Sequence, residues 1–217
     1  MATNKEIRKK RMLLYFIEAT RKIIDEEGYE AVTLRKVADL AGYNGATLYS
    51  YFEDLEQLIL YASLQYLKAY NSDASRLLQS DMSERQKLLE MWRAFCRYSF
   101  QNPKPFAYIF CGKHRDNVDE IAVKYYDLYP EDVGSDQHVV STLVKSLKLE
   151  ERNRMILHRI EDEEGVRLEN VNILNDMMVF IYRGLLDQCL HDTLDMSPEE
   201  YTNKMMEYLD YLLSHTN

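Results

Sequence analysis

Thr33-Leu34-Arg35-Lys36-Val37-Ala38-Asp39-Leu40-Ala41-Gly42-Tyr43-Asn44-Gly45-Ala46-Thr47-Leu48-Tyr49-Ser50-Tyr51-Phe52 decides the fold. Thr33 can cap a short helix through Ala41, with Leu34, Val37, Ala38 and Ala41 turned inward. Gly42 permits the positive φ needed to leave that helix, and Asn44 caps a second one, from Gly45 to about Phe52, so that it departs at a steep angle. Two short helices joined through Ala41-Gly42-Tyr43-Asn44 have the build of a helix-turn-helix. Gly45, Ala46 and Thr47 lead the second helix with small or hydroxyl groups, which lets its backbone approach base edges; Thr47 can touch a thymine methyl or a phosphate. Tyr49 and Tyr51 add hydroxyls at phosphate distance.

Outward from this stretch the chain reads as helix throughout. Residues 5–27 carry Leu13, Ile17, Ile23 and Ile24 at roughly helical spacing and stop at Gly28. A long helix is expected from Asp54 to about Leu78. Ser83 with Gln86 three residues later predicts a capping box for a helix to Gln101. Beyond Asn102-Pro103-Lys104-Pro105, short helices are expected at 105–112 and 117–129, and one or two charged helices over 135–163, interrupted near Lys148. A strong helix covers 168–191, and Ser197-Pro198-Glu199-Glu200 opens the last, which ends near His215.

The composition agrees. The 217 residues are 46% apolar and 29% charged, with only 7 Gly and 4 Pro, which favours helix over a many-turned β fold or disorder. The longest apolar run, Met177 to Tyr182, is far short of the roughly 20 residues of a membrane span. The amino terminus never enters an apolar h-region, so no secretory signal is read there. Cys96, Cys111 and Cys189 are widely spaced and predict reduced thiols in a cytoplasmic protein. Net charge is −9, but residues 1–52 hold nine Lys/Arg against seven Asp/Glu, so a mildly basic end sits on an acidic remainder.

Signatures of catalysis are missing. Gly112-Lys113 lacks the rest of a phosphate-binding loop, and there is no G-x-G-x-x-G, H-E-x-x-H or G-x-S-x-G. Cys111-x-x-His114 has no second ligand pair at finger-like spacing, and reads as a buried thiol beside a surface imidazole. No enzyme, no metal and no cofactor is expected.

The stretch from Phe16 to Ile59 resembles the amino-terminal domain of the TetR/AcrR family of transcriptional regulators. It carries Gly28-Tyr29 in the first turn, Thr33 at helix two, the Ala-Gly turn, and a Thr-Leu-Tyr-x-Tyr-Phe recognition helix. The resemblance implies an all-α chain, with a three-helix DNA-binding head (1–53) on a larger helical-bundle body (54–217) for effector binding and dimerisation. It implies DNA contact by Thr33, Tyr43, Asn44, Gly45, Ala46, Thr47, Tyr49 and Tyr51. There are departures: Glu53-Asp54-Leu55-Glu56 follows the recognition helix, with Leu55 where a phosphate-binding lysine is usual, and Gly45 where Lys, Arg or Pro is frequent. Lys5, Arg8, Lys9, Lys10 and Arg11 in the amino-terminal arm, with Arg35 and Lys36, can supply the missing phosphate contacts.

In the body, the helix 168–191 is apolar on most sides. Val171, Leu174, Met178, Ile181 and Leu185 form one seam, Ile173, Met177, Phe180 and Gly184 a second stripe, and Val179, Tyr182 and Leu186 a third. The last helix carries Tyr201, Met205, Tyr208 and Leu212. The first of these seams and the last are expected to meet their symmetry mates in a homodimer. Seventeen Tyr and ten Met suit an aromatic effector pocket; Tyr66, Tyr70, Trp92, Phe95, Phe106, Phe110, Tyr125, Met178 and Tyr182 are its candidates. No isolated acid or base stands out on these faces to identify a ligand charge. The expected function is a ligand-responsive homodimeric repressor, released from a palindromic operator on double-stranded DNA by an apolar or aromatic small molecule. The alternative is a helical interaction module of the same fold with weakened or lost DNA binding; a helical-bundle enzyme ranks third.

Overall fold

The computed structural model describes residues 3–132, 147–165, 168 and 170–215, and all regular structure among them is helical. Helix α1 (Asn4–Glu27) opens with a reciprocal capping box between Thr3 and Glu6 and stops at Gly28, φ +86°, whose amide donates to the Ile24 carbonyl. It buries Met12, Leu13, Phe16, Ile17, Ile23 and Ile24, and both α2 (Leu34–Ala41) and α4 (Leu55–Ser63) pack along it. Helix α3 (Gly45–Leu48) leans on α2.

The long helix expected from Asp54 to Leu78 is divided. Helix α4 ends at Ser63, a 3₁₀ turn follows at Leu64–Tyr66, and α5 runs over Leu67–Leu78. The buried Ser63 hydroxyl donates back to the Ile59 carbonyl at 2.8 Å and lies 3.2 Å from the Tyr29 hydroxyl. Such back-bonding competes with the helical ladder, and the tighter turn redirects the chain without a Gly or Pro to mark it. Residues Gln57 to Ser63 are all buried, because α4 is covered by α1 on one side and by α7 (Pro103–Phe110) on another.

Helix α6 (Glu84–Gln101) begins with the expected Ser83–Gln86 capping box. After α7 come α8 (Val118–Leu128), α9 (Leu149–Glu164), α10 (Val171–Leu190) and α11 (Pro198–Ser214), the last with a Ser197–Glu200 capping box. Of the charged helices expected over 135–163, α9 is one; residues 133–146 lie outside the described residues. Helix α6 is the axis of the body, with α5, α9 and α11 against it. At its centre Phe95 meets the rings of Tyr70, Trp92, Phe106, Phe110 and Tyr182 at centroid distances of 4.9–5.8 Å. Each such pair adds roughly 0.5–1.5 kcal/mol beyond the area it buries. Among the described residues no helix is long and apolar enough to cross a membrane.

Candidate nucleic-acid interface and effector cavity

Helix α3 is placed by its two ends and by Leu48. Gly42 adopts φ +78°, which lets the Gly42 amide reach back to the Ala38 and Asp39 carbonyls and ends α2 abruptly. Asn44 Oδ1 then accepts from both the Thr47 amide and the Thr47 hydroxyl, each at 2.9 Å. The Thr47 hydroxyl proton is thus held by the cap, which leaves its methyl group and oxygen lone pairs for an outside partner. Leu48 is wholly buried and Phe52 nearly so, fixing the helix to the core. A Cβ on Gly45 would lie 3.3 Å from the Leu34 side chain, so this residue is small because α2 passes close by.

Regular helix ends at Leu48, earlier than the expected Phe52. The amides of Ser50, Tyr51 and Phe52 still donate back to Thr47 and Leu48, so the turn is kept in tighter form. Ala46 and Tyr49 project outward, Tyr49 with 56% of its surface exposed. Tyr43 is exposed on one side and packs its ring 5.8 Å from Phe16. Tyr51 is half-buried, its ring 6.3 Å from that of Phe16, and is partly a core residue. Thr33 is exposed and caps α2 through the Lys36 amide.

The cations divide. Arg35 stands free of the surface, 92% exposed, with Asp39 at 3.7 Å, and Arg11 is exposed. Lys36 is paired with Glu27 at 2.6 Å, and Lys10 reaches across to Asp127 of α8 at 2.6 Å. Neither was expected to be held by a carboxylate. The pairs are long-range or cross-helix contacts invisible to local spacing, and as exposed pairs each contributes only about 0–1 kcal/mol.

The start of α4 is unlike a bare helix end. Asp54 caps it through the Gln57 amide at 2.8 Å, and the same carboxylate accepts from Lys113 Nζ at 2.7 Å and His114 Nε2 at 2.9 Å. Burial opposes its charge, but Lys113, the Gln57 amide and His114 outweigh that and hold its pKa at about 2. Glu56 accepts from the Lys113 amide at 2.9 Å. His114 is therefore buried, at 4% exposure, and Cys111 is the more accessible of the two, the reverse of the expectation for Cys111-x-x-His114. Burial pushes the Cys111 thiol up, away from thiolate. Among the described residues no cluster of three or more His, Cys, Asp or Glu side chains could hold a metal. Leu55 is half-buried against the core.

Of the expected pocket residues, Tyr70, Trp92 and Phe95 line one small cavity, about 30 Å³, between α5, α6 and α9. Phe106, Phe110, Met178 and Tyr182 are buried in the surrounding core and do not reach it; Tyr182 shares a 2.8 Å hydrogen bond with Ser99. Tyr66 is half-buried on the 3₁₀ turn. Tyr125 acts elsewhere. It accepts from Arg21 of α1 and donates to Asp132, both at 2.6 Å, and so ties α1 to the end of α8. A larger and more open cleft, about 490 Å³, lies where Tyr29, Glu56, Tyr108 and Leu190 converge.

Two polar residues of the small cavity escaped the sequence reading. Arg152 and Asn153 of α9 are both buried and both line it. The expectation that no charged group stands on these faces is corrected by Arg152. The pattern was available: Leu149, Arg152, Asn153, Ile156, Leu157 and Ile160 follow one another at helical spacing, so the arginine sits on the apolar face of α9.

The expected dimer seam turns inward. Val171, Leu174, Met178, Leu185, Tyr201, Met205 and Leu212 are buried within this one chain, and Ile181 is half-buried. Only Tyr208 reaches the exposed range, at 36%. The apolar side chains left uncovered on α10 are those of the second stripe, Ile173, Met177 and Phe180, the last 65% exposed, with Tyr208 and Tyr211 on α11. Helix α10 is apolar on three sides; α6, α7, α9 and α11 cover two of them.

Among the described residues, a capped helix-turn-helix stands on an all-helical body that encloses an aromatic core. Residues 16–62 match the family model of the tetR family of bacterial regulatory proteins. Similar folds include FadR of Thermus thermophilus, described as a TetR-family transcriptional repressor in complex with lauroyl-CoA. That structure has 14% identity, covers 91% of this chain and 92% of its own, and gives a TM-score of 0.62. RolR in complex with resorcinol gives 13% identity, 93% and 88% coverage and a TM-score of 0.58. FadR of Bacillus subtilis in complex with stearoyl-CoA gives 14%, 90% and 96%, and 0.52. No curated protein sequence matches the chain.

Proposed function

We propose that this protein is a homodimeric, ligand-responsive repressor that leaves a palindromic operator in the cytoplasm when a small molecule enters the body. The observation that carries DNA binding is the Asn44-capped helix α3. Leu48 and Phe52 anchor it from behind, while Ala46 and Tyr49 are exposed and Thr47 is half-buried. That is the arrangement in which a helix enters the major groove with its leading turn towards the bases. The uncovered stripe of Ile173, Met177 and Phe180, with Tyr208 and Tyr211, supports self-association: a second copy would cover it, and a two-fold dimer matches a two-fold operator. The cavity at Tyr70, Trp92 and Phe95 supports an effector site. The structural relatives carrying acyl-CoA or resorcinol show that this fold accommodates quite different ligands.

One observation favours the alternative, an interaction module with weakened DNA binding. Lys10 and Lys36 are already paired with Asp127 and Glu27, and Leu55 offers no charge. A gel shift over a salt series with the protein's own upstream DNA separates the two. Specific retention with log affinity falling steeply against log salt supports the repressor. No specific complex at low salt leaves the interaction module.

A further inference from the structure

We propose that Arg152 receives the oxyanion headgroup of an otherwise apolar effector in the cavity between α5, α6 and α9. The inference rests on the ligand-responsive reading above and gives the ligand its charge. Arg152 is 6% exposed in the middle of α9. Among the described residues no carboxylate lies within ion-pair distance of its guanidinium. Its partners there are the Tyr70 hydroxyl, to which Nη2 donates, and the Tyr70 ring, 5.1 Å from the guanidinium carbon. Burial raises the Tyr70 phenol, so that partner stays neutral.

Three half-buried arginines are held differently. Arg21 meets Glu18 at 3.0 Å, Arg85 meets Glu164 at 2.8 Å and Arg183 meets Glu150 at 2.8 Å. A guanidinium has five donors in a planar fork, and burying it without a counter-ion is costly unless an anion arrives. The remaining wall suits the rest of an amphiphile: Leu88, Met91, Phe95, Leu149 and Ile156 are apolar. The Trp92 indole N–H donates to Asn153 Oδ1 at 2.8 Å and Asn153 Nδ2 donates to Asn175 Oδ1 at 2.9 Å, so both donors are already engaged. About 30 Å³ has room for roughly two water molecules, so flexible Met91 and Leu88 must move to seat the headgroup and the chain behind it.

The test is titration of the full-length protein with octanoate, octyl phosphate, 1-octanol and octylammonium, followed by calorimetry. At least one of the two anions is expected to bind about tenfold or more tighter than the alcohol, as one charge-assisted fork contact gives. The octylammonium ion should bind most weakly, and the tighter anion tells carboxylate from phosphate. Arg152→Met should bring the anions down to the alcohol's affinity, and Arg152→Lys should keep part of the preference. Arg152→Gln, which can still donate to Tyr70, serves if the Met variant does not fold. Equal binding of alcohol and anions, an anion preference that survives in the Met or Gln variant, or no binding of any probe overturns the proposal. Affinity for upstream DNA without probes is read separately. DNA binding without anion preference rejects the role of Arg152 alone, and anion preference without DNA binding rejects the repressor alone.

Discussion

Asp54 Oδ2 accepts a hydrogen bond from Lys113 Nζ at 2.7 Å, so the carboxylate that caps α4 also holds the loop leaving α7. The helix-turn-helix feeds directly into α4, and the cavity lined by Tyr70, Trp92 and Arg152 lies in the helices beyond it. Asp54 is thus a joint between the two. Its other oxygen serves the Gln57 amide and His114 Nε2, which as the partner of a carboxylate must be the donor.

The joint should be acid-sensitive in a defined window. Asp54 is held at about 2 against an ordinary value of 3.8. A depressed carboxylate contributes stability that is complete above the unfolded value and is lost as pH falls through the folded one. Amide exchange protection in the first turn of α4 should hold down to about pH 4 and decline towards pH 2. In Asp54→Asn it should be lower at neutral pH, with no such decline. An identical profile in both proteins would remove Asp54 as the cause.

Gly112 should resist enlargement. A Cβ there would stand 2.6 Å from the Tyr108 carbonyl oxygen and 3.2 Å from Glu56 Oε1. The first neighbour is backbone and cannot step aside cheaply. Gly112→Ala should cost about 1–3 kcal/mol, seen as a melting temperature lower by several degrees. An unchanged melt would mean that the end of α7 yields freely.

Neighbouring residues of α3 should separate recognition from folding. Tyr49→Ala, at a side chain 56% exposed, should weaken operator binding by about 1–3 kcal/mol and leave the melt unchanged. Leu48→Ala, at a wholly buried site, should cost about 2–5 kcal/mol of stability. If Tyr49→Ala binds upstream DNA as well as the parent protein, α3 does not present that side chain to the duplex.

On α10 the two faces make opposite forecasts. Phe180→Glu replaces a 65% exposed ring and should yield a folded chain that elutes as a monomer. Leu185→Glu places an unpaired charge at a position 5% exposed and should destabilise the protomer itself by several kcal/mol. Light scattering and circular dichroism together read both outcomes. A tight dimer retained in Phe180→Glu would place the self-association surface elsewhere.

What is local was legible from the order of residues alone. The Thr33 and Asn44 caps, the Gly42 exit, the capping boxes at Ser83 and Ser197, and the helical periods each involve residues within four positions of one another. Backbone hydrogen bonding and side-chain spacing over that range do not depend on the rest of the chain. The resemblance to the family lay in the same stretch and was legible for the same reason. Tertiary structure decided which of several apolar stripes faces inward. Val171, Leu174, Met178 and Leu185 match an outward seam as well as an inward one, and only the positions of α6, α7, α9 and α11 leave Phe180 uncovered instead. It also decided which charges are spent. Lys10 meets Asp127 and Asp54 meets Lys113 across 117 and 59 positions of chain, while Arg152 meets no acid among the described residues. Periodicity places a charge on a face, but what neutralises that charge is a property of whatever folds against it.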